Sequence, residues 1–327
     1  MKKMFLSFII AGLFANGIWA QSSIFTPNWT VGEKHVFTFE KTQTDWSELG
    51  GFPQDDRTSE TYSRTADFEV IAKDDTHYRL SISHTFDDIE YLNAAEQLLD
   101  SMGINIPEEF SSMNIIYTTD HKGTFENIEN LEEITDRVRF MIDSVIEPLL
   151  SKATDNEEGP VLMLSLLKMQ LLDPDYLPNV VSPDLKLLHF IYPFVNLGLT
   201  VDDAVIYKSE TSTPVGFSID TKNVIYVDTL LPEQNLCIVK QTSQLDEKET
   251  LKYLAKFFKS MPVGKNGKKE LKKALKEMSM LINDEIEIMF DTKLTLPRQT
   301  TTKRSVVVTT PGRTNHKEVE TVLRLVE

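Results

Sequence analysis

Six histidines, one cysteine and a few close-set acid pairs are the residues able to carry bond-making chemistry in this chain of 327 residues. The histidines are His35, His77, His84, His121, His189 and His316. None stands four residues from another and there is no His-Glu-x-x-His run, so the paired helix face that a catalytic zinc needs is missing. A Gly-x-Ser-x-Gly elbow, a Gly-rich phosphate loop and a Cys-x-x-Cys pair are absent too. Asp87-Asp88, Asp173 with Asp175, and Asp202-Asp203 are isolated pairs in turns, and calcium needs more oxygen ligands at a regular spacing. Cys237 sits in the alternating apolar run Leu236 to Val239, which makes it a packing residue rather than a nucleophile. No catalytic residue, metal or cofactor is therefore expected, and the chain reads as a non-enzyme.

His84 is the one histidine whose neighbours turn it inward. Tyr78, Leu80, Ile82, His84 and Phe86 alternate with Arg79, Ser81, Ser83 and Thr85, as a strand with one buried and one wet face requires. On that face it is read as a core histidine with one hydrogen-bond partner before it is read as a general base.

The elements that would position these residues begin after residue 20. Lys2 and Lys3 precede the apolar run Met4 to Phe14, and Ala20 is a small residue at the expected cut, so residues 1–20 read as a cleaved signal peptide. That run falls short of the roughly twenty residues that span a bilayer, and no stop-transfer pattern follows. The expected mature protein is thus exported, periplasmic or secreted, without a transmembrane segment. No cysteine follows the cut to carry a lipid anchor. With Cys237 alone, no intrachain disulfide forms, and stability must come from core burial. A mature chain of about 300 residues can supply it, burying about 75% of its unfolded surface.

The net charge is −16, and more negative still once the two signal lysines leave. Phosphate neutralisation is the engine of nucleic-acid binding, so nucleic acid is not an expected partner. The charge is unevenly spread. Thirteen Asp and Glu face one Lys between Thr85 and Asp136, whereas ten lysines face two glutamates between Lys248 and Lys276.

Strand signals fill both ends of the chain. Asn28 to Lys41 reads as a first strand, Asp45 to Ser59 as an exposed loop, and Asp67 to Phe86 as a hairpin about Asp74-Asp75. Glu90 to Met102 is an amphipathic helix by spacing. Asn114 to Thr119 and Thr124 to Ile128 form another short hairpin. From Val201 the period is two again, with a turn near Thr221-Lys222, and the chain closes on a hairpin across Thr310-Pro311-Gly312. Between the halves, Asn130 starts a helix in a capping-box arrangement with Glu133, Pro160 opens a second that stops at Asp173-Pro174, and Ser182-Pro183 opens a third.

This middle block is the greasiest part of the chain. Nine of the residues from Pro160 to Leu172 are large and apolar, and a helix apolar all round must be buried on several sides. The core reading competes with a cavity reading, in which Met163, Leu167, Phe190, Tyr192 and Phe194 line a pocket for a lipid or other apolar ligand. Glu247 to Lys259 and Lys268 to Met280 read as basic amphipathic helices. Lys252, Lys256 and Lys259 share a face, either solvated or a landing site for an anionic membrane surface or an acidic partner.

Strands, helices, then strands argue for α+β: a curved antiparallel sheet, open or of half-barrel form, wrapped around a central helical block. The expected organisation is one domain over 21–327, with β-rich halves at 21–128 and 200–327 and the helical block at 129–199. Periodicity does not decide between one sheet and two.

Three stretches, Trp29 to Lys41, Tyr117 to Ile134 and Phe290 to Val307, resemble uncharacterised exported β-rich proteins of Bacteroidota. At fold level those resemble periplasmic half-barrel lipoprotein carriers. The resemblance and the apolar block together lead to an exported non-enzymatic binding protein that holds an apolar or amphipathic ligand between sheet and helices. The alternative is a structural or interaction protein of the cell envelope with no small-molecule ligand.

Overall fold

A computed structural model describes residues 24–85, 112–147, 183–197, 204–212, 218–260 and 277–326, with 168, 199, 201 and 275 besides. The strands are β1 (Lys34–Leu49), β2 (Phe52–Pro53), β3 (Thr58–Lys73), β4 (His77–Thr85), β5 (Ser112–Asp120), β6 (Phe125–Ile128), β7 (Val205–Ser212), β8 (Ser218–Leu231), β9 (Leu236–Leu245), β10 (Ser279–Asp291), β11 (Leu296–Thr310) and β12 (Arg313–Val326). They form one twelve-stranded sheet in the order β6-β5-β4-β3-β1-β12-β11-β10-β9-β8-β7, with β2 paired to the tip of β1. The helices are α1 (Leu131–Met141), α2 (Pro183–Leu188) and α3 (Glu247–Ser260).

Neighbouring strands in this sheet all run antiparallel. The first half meanders outward from β1 to β6 and the second returns from β7 to β12. Pairing of β1 with β12, from Val36 opposite Val326 to Leu49 opposite Arg313, fuses the two halves. One sheet, not two, is the outcome. Residues 129–204 then have to connect opposite edges, which ten strand spacings would put about 50 Å apart along the sheet. Of this connection, α2 lies near the middle of the sheet, where it touches β11 and β12. There the Thr300 hydroxyl donates to Leu187 O at 3.5 Å.

The core lies on one face, here the inner face, and toward one end. Phe37, Phe39, Ala66, Phe68, Val70, Tyr78, Leu80, Ile82, Ile115, Tyr117, Val239, Ile288, Phe290 and Leu323 point inward at period two and are buried. Residues 24–33 plug the same end. Trp29 is ringed edge-on by Phe68, Tyr78, His189 and Tyr192 at 5.0–6.0 Å. Four bulges, at Val70/Ala72, Thr118/Thr119, Val227/Thr229 and Met289/Phe290, sit near that end. Each adds local twist. Gly123 belongs to this plug, because its φ of +86° and its closeness to Pro27 and Tyr192 leave no space for a side chain.

The expected sheet wrapped around a central helical block is overturned. The fold is dominated by its single antiparallel sheet, with three short α-helices among the described residues. Two physical causes explain the difference. The strands run to 16 residues, well beyond the usual five or six, so the strands themselves carry most of the buried apolar surface. The apolar run Leu185 to Leu199 is not a long helix either. α2 stops at Leu188 and a 3₁₀ turn follows from Tyr192 to Leu197, since Pro193 cannot continue an α-helix. Residues 161–172 lie outside the described residues except Lys168, which is helical and paired with Glu147.

Smaller expectations shift as well. The supposed loop from Asp45 is the far half of β1 up to Leu49, and the supposed turn at Thr221-Lys222 is the interior of β8. The side-chain oxygen of Asn130 accepts from Ile116 N at 2.9 Å rather than from the helix it precedes. The helices expected at 90–102 and through most of 268–280 lie outside the described residues, and β10 already begins at Ser279.

Candidate ligand-binding face

Above the packed end, the inner face changes character within a single row. On β9, Cys237 and Val239 are followed on the same side by Gln241 and Ser243. On β8, Val227 and Ile225 are followed by Asn223 and Thr221. Strand register aligns Arg304, Asp284, Ser243, Asn223 and Tyr207 across five neighbouring strands. Their hydrogen bonds are local. Arg304 grips Asp284 through two N–H donors at 2.7 Å each, a bidentate pair. The Tyr207 hydroxyl donates to Gln241 Oε1 at 2.8 Å, Gln241 Nε2 donates to Ser243 Oγ at 3.1 Å, and Asn223 Nδ2 donates to Ser209 Oγ at 2.9 Å. Burial pushes the Tyr207 hydroxyl up to about 12, opposed by the bond to Gln241.

A second polar group lies on the inner face of the other half of the sheet, two rows nearer the core, since register carries Arg64 through Phe39, Leu323 and Thr300 to Ile288. Arg64 on β3 and His84 on β4 both converge on Asp184 Oδ2 in the first turn of α2. His84 Nε2 is 3.3 Å away and Arg64 is in direct ion contact. The Arg64 guanidinium lies over the Phe39 ring at 5.4 Å. Burial holds His84 down at about 4, with Asp184 pulling up and Arg64 pushing down.

Beyond the belt the inner face is apolar again. Met280 and Ile282 on β10 pair with Val308 and Val306 on β11, on the side that Ile288 and Thr300 share with the core. All four are partly exposed, unlike the closed packing three rows below. A polar row therefore separates a dry base from an accessible aliphatic strip.

Deeper in the base, a tyrosine–histidine pair could pass for an activated nucleophile. His189 Nδ1 lies 2.9 Å from Gly123 O, which can only accept, so the proton is on Nδ1 and Nε2 accepts from the Tyr117 hydroxyl at 2.8 Å. Burial raises Tyr117 well above the ordinary phenol range and holds His189 at about 4 against its bond to Gly123. Both groups stay neutral and the pair acts as a strut. Cys237 is buried, and burial pushes its thiol up to about 12.

Of the residues expected to line a cavity, Phe190 and Phe194 are partly buried and neighbours at 5.4 Å, with Tyr207 5.5 Å beyond Phe194. That row leads from the 3₁₀ turn to the polar belt. Tyr192 is fully buried and donates its hydroxyl to Thr295 O at 2.6 Å. Met163 and Leu167 lie outside the described residues. On α3, capped where Asp246 Oδ1 accepts from Glu249 N at 2.9 Å, Lys252 and Lys256 are exposed and Lys252 pairs with Glu249 at 3.1 Å. Lys259 follows on the same helix, its side chain outside the described residues.

At mid-strand the outer face is charged, while Leu281 on it, paired with Val307, is 40% exposed. Glu40, Glu285, Glu287, Lys303, Glu318 and Glu320 alternate with the inward residues at mid-strand, and Lys303 pairs with Glu318 at 3.0 Å. A strand face in contact with lipid would be apolar instead. Among the described residues no helix is long and apolar enough to cross a membrane. An open hollow of about 430 Å³ at the ends of β3 to β6 is lined by polar side chains already paired, His77 with Glu126 at 3.4 Å and Arg79 with Glu129 at 2.6 Å.

Sequence reasoning missed the belt and the second group. The β8 and β9 part of the belt had a readable signal, since same-side residues pass from apolar to amide and hydroxyl within one strand. The Arg64–Asp184 pair, 120 residues apart, had none. No family model matches the chain and no curated protein matches it. Among solved structures, one titled "Lipid-protein interactions in lipovitellin" is similar at 10% identity with a TM-score of 0.37, over 92% of this chain and 26% of that one. The translocator domain of the autotransporter NalP from Neisseria meningitidis is similar at 8% identity with a TM-score of 0.14, over 98% and 97% of the two chains. This chain thus spans about a quarter of the lipovitellin structure, and at these scores neither likeness carries a ligand or a detailed fold over to it.

Proposed function

We propose that this is an exported, non-enzymatic protein that binds an apolar or amphipathic ligand on the inner face of its open sheet. One observation carries the reading: Met280, Ile282, Val306 and Val308 stay partly exposed on the face that is closed-packed three rows away. Apolar surface left in water forgoes about 25 cal/mol per Å², and a tail laid along this strip recovers it. The polar belt beneath offers a polar end its hydrogen bonds. Export is supported by the signal-like residues 1–20.

The purified mature protein is expected to take up the neutral fluorophore N-phenyl-1-naphthylamine saturably. The double variant I282E/V306E should lose affinity about tenfold or more, because a buried carboxylate pair opposes the apolar probe. Both positions are partly exposed without the probe, so the variant should fold, with a modest loss of melting temperature from like charges on directly paired residues. No saturable uptake by the wild type, or unchanged affinity in the variant, would return the protein to the structural class of the cell envelope.

The exposed Lys252 and Lys256 support an anionic surface or acidic partner as the place of delivery. Replacing Lys252, Lys256 and Lys259 by Gln is expected to cut co-sedimentation with phosphatidylglycerol vesicles about tenfold, at roughly 1 kcal/mol per lysine near a charged surface before loss to internal pairing. Equal sedimentation of variant and parent would retire the lysine face.

A further inference from the structure

We propose that the cluster of His84, Asp184 and Arg64 is the point at which this face reads the polar end of its ligand, and that this end is uncharged and carries a hydroxyl. The inference rests on the ligand-binding reading above and adds the head-group class to it. The cluster stands at the upper boundary of the core, with His84 across from Ala66 and Arg64 across from Phe39.

His84 is 3% exposed and its Nδ1 has no hydrogen-bond partner among the described residues. Its Nε2 faces the Asp184 carboxylate at 3.3 Å, so the ring proton belongs on Nε2 and Nδ1 presents a lone pair. A buried acceptor left without a donor keeps the full penalty of its lost hydration. Only an O–H or N–H relieves that. Beside it, Arg64 brings a guanidinium of five N–H donors, of which Asp184 engages those on one side, and its side chain is 29% exposed. Arg64 and His84 Nε2 thus meet on one carboxylate oxygen, and Nδ1 opens on the other edge of the ring. A hydroxyl supplies the proton that Nδ1 lacks.

Charged heads fit worse. A carboxylate or a fully ionised phosphate has no proton for Nδ1 and would add a negative charge beside buried Asp184. An ammonium group would face Arg64. The cluster is already neutral in sum, one arginine against one aspartate with the histidine uncharged, and an uncharged head keeps it so.

The test uses matched chains on the mature protein: 1-dodecanol, 1-monododecanoylglycerol, dodecanoate and dodecylamine, each displacing N-phenyl-1-naphthylamine, with free glycerol as the polyol without a tail. The two hydroxyl heads are expected to bind about five- to tenfold more tightly than dodecanoate and dodecylamine, the worth of one good hydrogen bond. Glycerol should not compete, which assigns the hydroxyl to an amphiphile rather than to a free polyol. H84Q keeps an amide donor for Asp184 and removes the Nδ1 acceptor, so its preference for the hydroxyl heads should vanish. Equal binding of all four chains, tighter binding of dodecanoate, or a preference unchanged in H84Q overturns this inference while leaving the ligand-binding reading in place. Failure of the fluorophore itself to bind would instead remove that reading. The wild-type series decides the matter even if H84Q does not fold.

Discussion

Gly123→Ala is expected to destabilise the protein by about 2–5 kcal/mol, read as a shift in the urea midpoint at constant m-value. Two effects combine. The φ of +86° is a backbone state that costs an L-residue about 1–2 kcal/mol. A Cβ there would also stand 2.7 Å from Pro27 Cγ and 2.7 Å from Tyr192 Cδ1, and overpacking of that kind costs about 1–3 kcal/mol. Neither neighbour can step aside cheaply. Tyr192 is fully buried and tied to Thr295 O at 2.6 Å, while Pro27 O accepts from the Tyr78 hydroxyl at 3.1 Å. Gly32 and Gly50 supply the control, since both have positive φ and an added Cβ would meet nothing within 4 Å. Their alanine variants should lose only the backbone part, about 1 kcal/mol. Equal losses at all three positions would show that the plug around Trp29 yields to an extra methyl group and is not rigid.

How much of this is legible in the sequence depends on how far apart the partners lie. The inward alternation of Tyr78, Leu80 and Ile82 is written in nine consecutive residues, and all three are buried as it implies. Pro311-Gly312 marks the hairpin of β11 and β12. Proline at the start of α2 marks that helix, but its early end at Leu188 is hidden by the apolar content that follows. Periodicity cannot show that β1 and β12 pair, because that contact joins residues 36 and 326. The same holds for the site. Phe190 and Phe194 stand out as apolar in the sequence and do sit together, whereas Arg64, His84 and Asp184 come from three elements and only the tertiary fold assembles them.

Acid should unfold this protein well above the range in which carboxylates titrate. His84 and His189 are both held at about 4 in the native state, chiefly by burial, against about 6.5 in an unfolded chain. Their folded values are depressed, so below about pH 6.5 the unfolded state takes up protons that the native state refuses. The stability they confer is fully present above about pH 6.5 and is lost as the pH falls toward about 4. Each shift corresponds to roughly 3 kcal/mol at about 1.36 kcal/mol per unit, and the pair to roughly 6, comparable to the entire stability of many domains. Urea titrations should give a nearly flat unfolding free energy from about pH 7 to 8 and a slope near pH 5 of about two protons, or roughly 2.7 kcal/mol per unit. Asp74, held at about 2 by hydrogen bonds from Thr76 and His77, adds its own loss only at lower pH, so the two windows separate. H84Q and H189Q should each remove about one proton from the slope, even where they lower stability at neutral pH. A slope near zero between about pH 6.5 and 4.5, or one that neither substitution changes, would mean that these rings are solvated. The cluster at His84 would then be wet, and the unmet acceptor on which head-group recognition depends would already be satisfied by solvent.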